Sequence, residues 1–481
     1  MPTLAPAQAL SGLERILGPE GVLAAEAADS GAALERYLTD HRRLYHGRAL
    51  AVTLPRSVAQ VTEVLAFCNR HRIGVVPQGG NTSYCGGATP DESGGQIVVA
   101  LSRLNRIRRL DPLDHSMVAE AGCVLADLQR AADEAQRFFP LSLGSEGSCQ
   151  LGGNLSTNAG GIHVLRYGMM RDLVLGLEVA LADGRLLSSL GTLRKDNTGY
   201  DVKSLFLGAE GTLGVITAAS LKLFPKLRAF AAAFAAVPDP SAAVKLLARL
   251  REASGDRVSS FELIPRIAVE LTTRHIPGVR DPLDVAHPWY VLCELTSPRG
   301  ADPLEDLLEQ SLAAALEEGL VADAAVARNE RDRAAFWKLR ETIPEAQRLD
   351  GGSLKHDISV PIASIPDFIG RGAGWIAANV PDGRLVAYGH VGDGNLHFNL
   401  NQAPGTDRAA FLAREETVKR AIHDMVRDFG GSISAEHGIG RLKVGELERY
   451  ASPVELDVMR AVKRALDPNG ILNPGKVLRC S

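Results

Sequence analysis

What the chain has little of narrows its class first. Aromatic residues make up only 5% of its 481 residues. No apolar run approaches the roughly 18 residues that a membrane-spanning helix needs. Basic residues are not in excess, since 53 Lys and Arg stand against 57 Asp and Glu, a formal net charge of −4. Without a basic field, nucleic acid and an anionic membrane are excluded as main partners, and a small anionic substrate needs local cations. The six cysteines, Cys68, Cys85, Cys123, Cys149, Cys293 and Cys480, form no CxxC pair. Their scatter gives neither a disulfide framework nor a thiolate zinc site and fits a reducing cytoplasm. The opening MPTLAPAQALSGLERILGPEG lacks a basic region ahead of a long apolar core and carries Glu14 and Glu20, so neither a secretory signal nor a transit peptide is expected.

Two nucleotide fingerprints are also missing. There is no GxGxxG, which removes the Rossmann type of nicotinamide site. GILNPGKV at residues 470–477 satisfies GxxxxGK, but Val477 stands where Ser or Thr must hold magnesium, and Pro474 removes an N–H. Nucleotide hydrolysis is excluded on that ground.

Three glycine-rich stretches are present instead. The longest, LGSEGSCQLGGNLSTNAGG at residues 143–161, has six glycines and a single charge, Glu146. Bare backbone of this kind can turn N–H groups into a shared concavity that suits a pyrophosphate. A flexible Gly/Ser linker is the other reading of the composition, opposed by the apolar anchors Leu151, Leu155 and Ile162. The second stretch, PQGGNTSYCGG at residues 77–87, follows a βαβ pattern: strand AVTLP, a helix opened by a Ser57–Gln60 capping box, and strand IGVVP. Ligands of such units sit at strand C-termini. In the third, LGAEGTLGVIT, glycines precede an alternating strand, VITAASLKLF. With no nicotinamide or hydrolase motif, a flavin dinucleotide is the natural occupant of these loops.

Residues 226–430 alternate strands with helices in the manner of an α+β sandwich. Within them, YGHVGDGNLHFN at residues 388–399 reads as a hairpin around a turn at 392–395. That register sets His390 opposite His397, with Tyr388 and Asn399 on the same face, close enough for two imidazoles to share an ion. Glu436 and His437 in SISAEHGIG supply a carboxylate and a further imidazole. Two histidines and a carboxylate make an open site suited to zinc or another divalent ion. Arg340 offers a fork for a carboxylate, and Lys355 shares a strand face with Asp357 and Ser359. A polar hairpin, a surface loop and ordinary surface cations are the plain alternatives for these groups.

Taken together, PQGGNTS, GSCQLGGNLSTNAGG, LGAEGTLGVIT, GHVGDGNLH, SAEHGIG and NPGK match in type and order the flavin-dependent D-2-hydroxyacid dehydrogenases of the vanillyl-alcohol oxidase fold, which the chain resembles from about Arg48 to Lys476. LRKDNTGYD at residues 193–201 is most similar to the D-2-hydroxyglutarate branch. The resemblance implies an α+β chain of four parts: N-terminal helices (1–47), an FAD-binding domain (48–225), a cap domain for substrate (226–430), and a C-terminal helical segment (431–481) that completes the two-part FAD domain and the site. It implies non-covalent FAD held by Pro77, Gly79, Gly80, Asn81, Thr82, Ser83, Gly144, Ser145, Gly152, Gly153, Asn154, Thr157, Asn158, Gly160, Gly161, Glu210, Gly211, Gly214, Ile216 and Asn473. It further implies a metal, zinc by expectation, on His390, His397 and Glu436, with His437 as base and Arg340, Lys355, Asn399 and Tyr388 about the substrate. An electron-transfer flavoprotein or a quinone is the expected acceptor and a homodimer the expected assembly. Pro344 departs from the pattern, standing where the branch aligns a threonine, and it can donate no hydrogen bond to a second carboxylate. D-lactate, D-malate and glycolate therefore remain alternative substrates, and a non-redox flavin transferase of the same fold an alternative activity.

Overall fold

In a computed structural model that describes residues 4–24 and 31–479, the chain divides into two units. The first comprises Met1–Gly161, Gly168–Lys226 and Glu436–Ser481. Its βαβ unit forms as the sequence suggests: strands Ala51–Thr53 and Gly74–Gln78 both run parallel to Gln96–Ala100, which lies between them. The connecting helix, Val58–His71, buries Val61, Val64, Leu65 and Cys68 against Ala9, Leu13 and Leu17 of helix Pro6–Leu17. Only half of the expected capping box is made. Ser57 accepts the Gln60 N–H at 3.2 Å, but Gln60 Oε1 accepts from Arg56 N–H rather than from Ser57.

A second, antiparallel sheet orders Ile107–Asp111, Ser116–Glu120, Val215–Lys222, Val174–Ala180 and Leu186–Ser189. Its middle strand was expected to alternate, yet every residue from Val215 to Leu221 is buried. A central strand covered on both faces has no solvent side to show. Three further expectations change. The described part of the N-terminal 47 residues does not stand apart, because Leu34 and Tyr37 share a core with Val52 and Val76, and Val22–Ala24 adds an edge strand. The long glycine stretch is not loop throughout, since Leu151–Ser156 is helical. The C-terminal segment expected to be helical is so, among its described residues, only over Val444–Tyr450 and Pro453–Leu466, the second capped by Ser452 with proline in its first turn.

The second unit comprises Ile162–Tyr167 and Leu227–Ala435. Its larger sheet orders Val258–Pro265, Trp289–Ser297, Ala229–Val237 and Asp323–Val326, all antiparallel. Along AFAAAFAAV the odd positions Ala231, Ala233 and Ala235 join one core with Leu246 and Leu308, while Ala232, Phe234 and Ala236 join another with Tyr290 and Trp337. Period-two burial against helices on both faces explains the apolar content of this strand. The smaller sheet centres on Asn395–Gln402. Gly383–Tyr388 pairs along one edge, and Ser353–Leu354 and Asp357–Ser359 follow one continuous register along the other. A bridge between Leu263 and Gly389 links the two sheets. The six-residue return Ile162–Tyr167 is held here by Ser260 Oγ on the Ile162 carbonyl and Arg166 on Thr296.

Candidate active site

The hairpin carrying the two histidines has a longer turn than the sequence suggests. Tyr388, not His390, lies opposite His397, and Val386 lies opposite Asn399, so residues 389–394 form the connection. Gly394, at φ +91°, passes so close to the Val360 carbonyl that a Cβ would sit 2.4 Å from it. The slip is two residues, which leaves each side chain on its expected face. His390 and His397 still meet, ring centroids 5.8 Å apart at 72°. Glu436 follows Ala435 by one peptide bond, and one ligand atom from each of His390, His397 and Glu436 lies within 4.8 Å of the others. Two imidazoles and a carboxylate at this spacing are a donor set that fits a divalent cation.

Behind His390 stands a residue the sequence reading passed over. Glu262, wholly buried in strand Val258–Pro265, accepts from His390 Nδ1 at 2.5 Å and from Arg340 Nε at 2.6 Å. Burial alone would raise its carboxyl, but the adjoining Arg340 and His390 charges outweigh that and bring it down to about 2. With Nδ1 held by a carboxylate, His390 would offer Nε2 to a cation, the arrangement that orients metal-ligating histidines generally. The Leu263–Gly389 bridge sets Glu262 beside the His390 loop. Its sequence signal was a glutamate inside the otherwise apolar run FELIP, where a charge is rarely buried without partners. Arg340 is thus oriented by Glu262 on one side and by the Tyr388 ring on the other, its Cζ 4.9 Å from the ring centroid. Tyr388 in turn lies 4.9 Å from the His397 ring. Asp393, in the same connection, is pushed up to about 6 by burial, with His390 opposing.

Lys355 does not sit within a strand. It falls in the break between Ser353–Leu354 and Asp357–Ser359, exposed, on the register that places it across from Asn399. Asn399 belongs to a buried amide ladder: its Oδ1 accepts from His356 N–H at 3.1 Å, and its Nδ2 donates to Gln347, which also donates to Asn401.

In the first unit, the His437 ring stacks on Tyr84 at 4.6 Å and 15°. The following loop is fastened at several points. Arg441 and Leu442 N–H donate to the Cys85 carbonyl, and Ile439 and Gly440 N–H donate to the two oxygens of Glu210 at 2.7 and 2.8 Å. Tyr84 lay inside PQGGNTSYCGG, but nothing in its spacing pointed to His437.

The residues expected about the cofactor divide by what their side chains touch. Asn81 donates to the carbonyls of Arg36 and Thr39, Asn158 accepts from Arg171 N–H, and Asn473 donates to Gly87 and Glu210 carbonyls. Ile216 is core, and Gly214 packs on Val179 and Phe206. Gly80 and Gly161 serve close approach of backbone to backbone, since a Cβ on either would meet Ser148 O at 2.1 Å or Ser142 O at 1.9 Å. Thr157 Oγ1 donates to Gly153 O, Ser83 Oγ accepts from Cys85 N–H, Ser145 O accepts from Ser148 and Cys149 N–H, and Gly152 N–H bonds Ala121 O. Gly144 and Gly153, by contrast, have nothing within 4 Å of where a Cβ would stand. Gln150 Oε1, close to Gly79, is buried with no hydrogen-bond partner among the described residues. Gln150 also lines a cavity of about 310 Å³ with Ser102, Asn105, Gly122, Cys123 and Asp127. Bare open backbone beside an orphaned buried amide fits a polar cofactor along Gly79, Gly144 and Gly153. Gln150 was not among the expected contacts.

Sequence comparison agrees with this architecture. An FAD binding domain matches residues 49–189, and the C-terminal domain of FAD linked oxidases matches residues 226–477. The chain belongs to the FAD-linked oxidase family. It is 39% identical over 475 residues to a mitochondrial D-2-hydroxyglutarate dehydrogenase of Arabidopsis thaliana, covering 98% of this chain and 81% of that protein. It is 35% identical to a D-2-hydroxyglutarate–pyruvate transhydrogenase of Saccharomyces cerevisiae, covering 96% and 92% of the two chains. Among solved structures, p-cresol methylhydroxylase with substrate bound superposes with a TM-score of 0.73 at 17% identity, over 98% of this chain and 97% of that one, which bears on fold alone. The fold expected from the motifs is thereby found.

Proposed function

We propose that the protein oxidises a D-2-hydroxyacid, D-2-hydroxyglutarate foremost, to the 2-oxoacid with FAD and a divalent metal. The observation that carries the reading is the convergence of His390, His397 and Glu436 within 4.8 Å, beside an arginine and a tyrosine. Identity to relatives named for D-2-hydroxyglutarate supports the substrate. Bound FAD would supply a hydride acceptor, held along Gly79, Gly144, Gly153 and Gln150. A metal on the three ligands would supply Lewis acidity that lowers the pKa of a substrate hydroxyl. The remaining work falls to side chains. Arg340, fixed in direction by Glu262 and Tyr388, binds the 1-carboxylate as a planar fork. Lys355, exposed at the strand break, meets the distal carboxylate of a dicarboxylic substrate. His437 takes the hydroxyl proton as general base, its ring plane set by Tyr84.

The reduced cofactor passes its electrons to an electron-transfer flavoprotein or a quinone in this reading. The name of the yeast relative adds a second 2-oxoacid as another acceptor class. We place the protein in a reducing cytoplasm as a homodimer. The buried free thiols of Cys68, Cys85, Cys123, Cys149 and Cys293 support the compartment, while the Arabidopsis relative is named mitochondrial. No helix among the described residues is long and apolar enough to cross a membrane. The deciding experiment is anaerobic mixing of the FAD-loaded protein with D-2-hydroxyglutarate, D-malate, D-lactate and glycolate. Bleaching of the flavin fastest by D-2-hydroxyglutarate is expected. Bleaching by none, with FAD bound, would turn the assignment to a non-redox flavin transferase.

A further inference from the structure

Glu210 lies in a segment that reads as cofactor-binding, yet its carboxylate is already engaged. The residue is 9% exposed and takes φ +50° between Gly208 and Gly211. Its Oε1 accepts from Ile439 N–H at 2.7 Å and its Oε2 from Gly440 N–H at 2.8 Å. The backbone is tied as well, with Glu210 N–H on Ser156 O at 2.8 Å and Glu210 O accepting from Asn473 Nδ2 at 2.7 Å. Gly438 and Gly440, at φ +71° and +52°, turn consecutive N–H groups toward one point, a concavity that binds anions. Here a carboxyl group of the protein itself fills it, and it is fully ionised only above about pH 7, to which burial raises it. A carboxylate in this position would repel a pyrophosphate, so a direct contact between the Glu210 side chain and cofactor phosphate is disfavoured.

The loop it holds begins at His437. Cys85 O receives Arg441 and Leu442 N–H from the other side, and Cys85 Sγ donates to Gly438 O. A Cβ on Gly440 would meet Cys85 O at 2.3 Å, so the segment is gripped between the two. From that fixed loop the His437 ring projects onto Tyr84. We propose that Glu210 is a positioning residue, which sets the His437 loop by occupying its two consecutive amides. The inference rests on the reading of His437 as the base.

Glu210→Gln is nearly isosteric but turns one acceptor into a donor facing a backbone N–H. In the full-length FAD-loaded protein, above the pH of about 7 at which Glu210 ionises, two readouts are taken. Amide exchange at Ile439 and Gly440 is expected to rise about tenfold or more. The rate of flavin reduction at saturating D-2-hydroxyglutarate should fall by about tenfold or more, with KM changed less than about threefold and FAD content unchanged. Glu210→Asp, which keeps the charge but withdraws it by a methylene, should lie between the two and serves if the glutamine variant does not fold. Unchanged exchange overturns the clamp. Faster exchange with an unaltered reduction rate overturns the positioning role, and loss of FAD from an otherwise folded variant makes Glu210 a cofactor contact instead. If the wild-type protein is not bleached by any hydroxyacid, the proposed function fails, and the positioning of a base fails with it, while the exchange result still decides whether the clamp exists.

Discussion

Replacing Glu262 by glutamine tests the core of the site. The carboxylate is wholly buried and joins two groups, the Arg340 guanidinium, itself 7% exposed, and the His390 ring. Glutamine keeps the volume and can accept one hydrogen bond, but it removes the carboxylate charge that faces a buried guanidinium. Removing one member of a buried ion pair typically costs about 3–5 kcal/mol. For a unit of roughly 200 residues that is a fall in transition temperature of about 6–20 °C, at about 2–4 °C per kcal/mol. Scanning calorimetry reads it directly. The same change frees the His390 tautomer, and loss of such an outer partner commonly weakens metal binding about 10–100-fold, measurable by competition with a chromophoric chelator. The double variant Glu262→Met with Arg340→Met removes both charges and should recover most of the lost stability while staying inactive, because apolar residues of similar volume substitute well for a buried pair. A single variant that loses less than about 1 kcal/mol, or a double variant less stable than the single, would refute the argument that this pair is electrostatically coupled.

Three further outcomes are expected. His437→Ala should retain FAD and lower the rate of flavin reduction by about 10²–10⁴-fold, and near-normal reduction would remove the base assignment. Chelation should abolish turnover while the flavin stays bound, with zinc or manganese restoring it; turnover indifferent to both would end the metal role. Burial raises Glu210 from 4.5 to about 7, against the Ile439 and Gly440 hydrogen bonds and Lys443. The folded state thus holds this proton more tightly than the unfolded one, so its contribution is greatest below pH 4.5 and declines as pH rises to about 7. The decline amounts to about 3 kcal/mol at 1.36 kcal/mol per pKa unit. Denaturant unfolding of wild type and Glu210→Gln across that range should show a dependence that the variant lacks, and parallel curves would contradict the shift.

Much of the fold was legible because local signals and packing agree. Ser57 caps the helix it precedes, and AVTLP and IGVVP form strands. The failures arise where tertiary context overrides a local rule. Strand Val215–Lys222 is central in its sheet and buried on both faces through Leu221, so alternation was the wrong template. The glycines were read as one class, but Gly80 and Gly161 admit other backbone, whereas Gly144 and Gly153 face open space. Composition cannot separate these, because both uses require a missing side chain.

The site shows how a wrong detail can still lead to the right face. The turn was set two residues short, and a slip of two preserves the side on which His397 and Tyr388 project, whereas a slip of one would have sent them to opposite sides of the sheet from the residues they touch. His390 then reaches its partner from the connection rather than from the strand, and it can do so only because something outside the hairpin holds it. That something is Glu262, 128 residues earlier in the chain. Spacing within a motif predicts which side chains share a face; it carries no information about a distant carboxylate that fixes a ring nitrogen. Ligands cluster in sequence because a hairpin brings them together locally, while the group that orients them must come from another element, packed against that hairpin. The same holds for His437, whose ring lies on Tyr84 and whose following residues Ile439 and Gly440 are held by Glu210, both from segments far from it in sequence. For sites of this construction, the unexplained charge inside an apolar strand is therefore the sequence feature with the most to say about what stands behind the ligands.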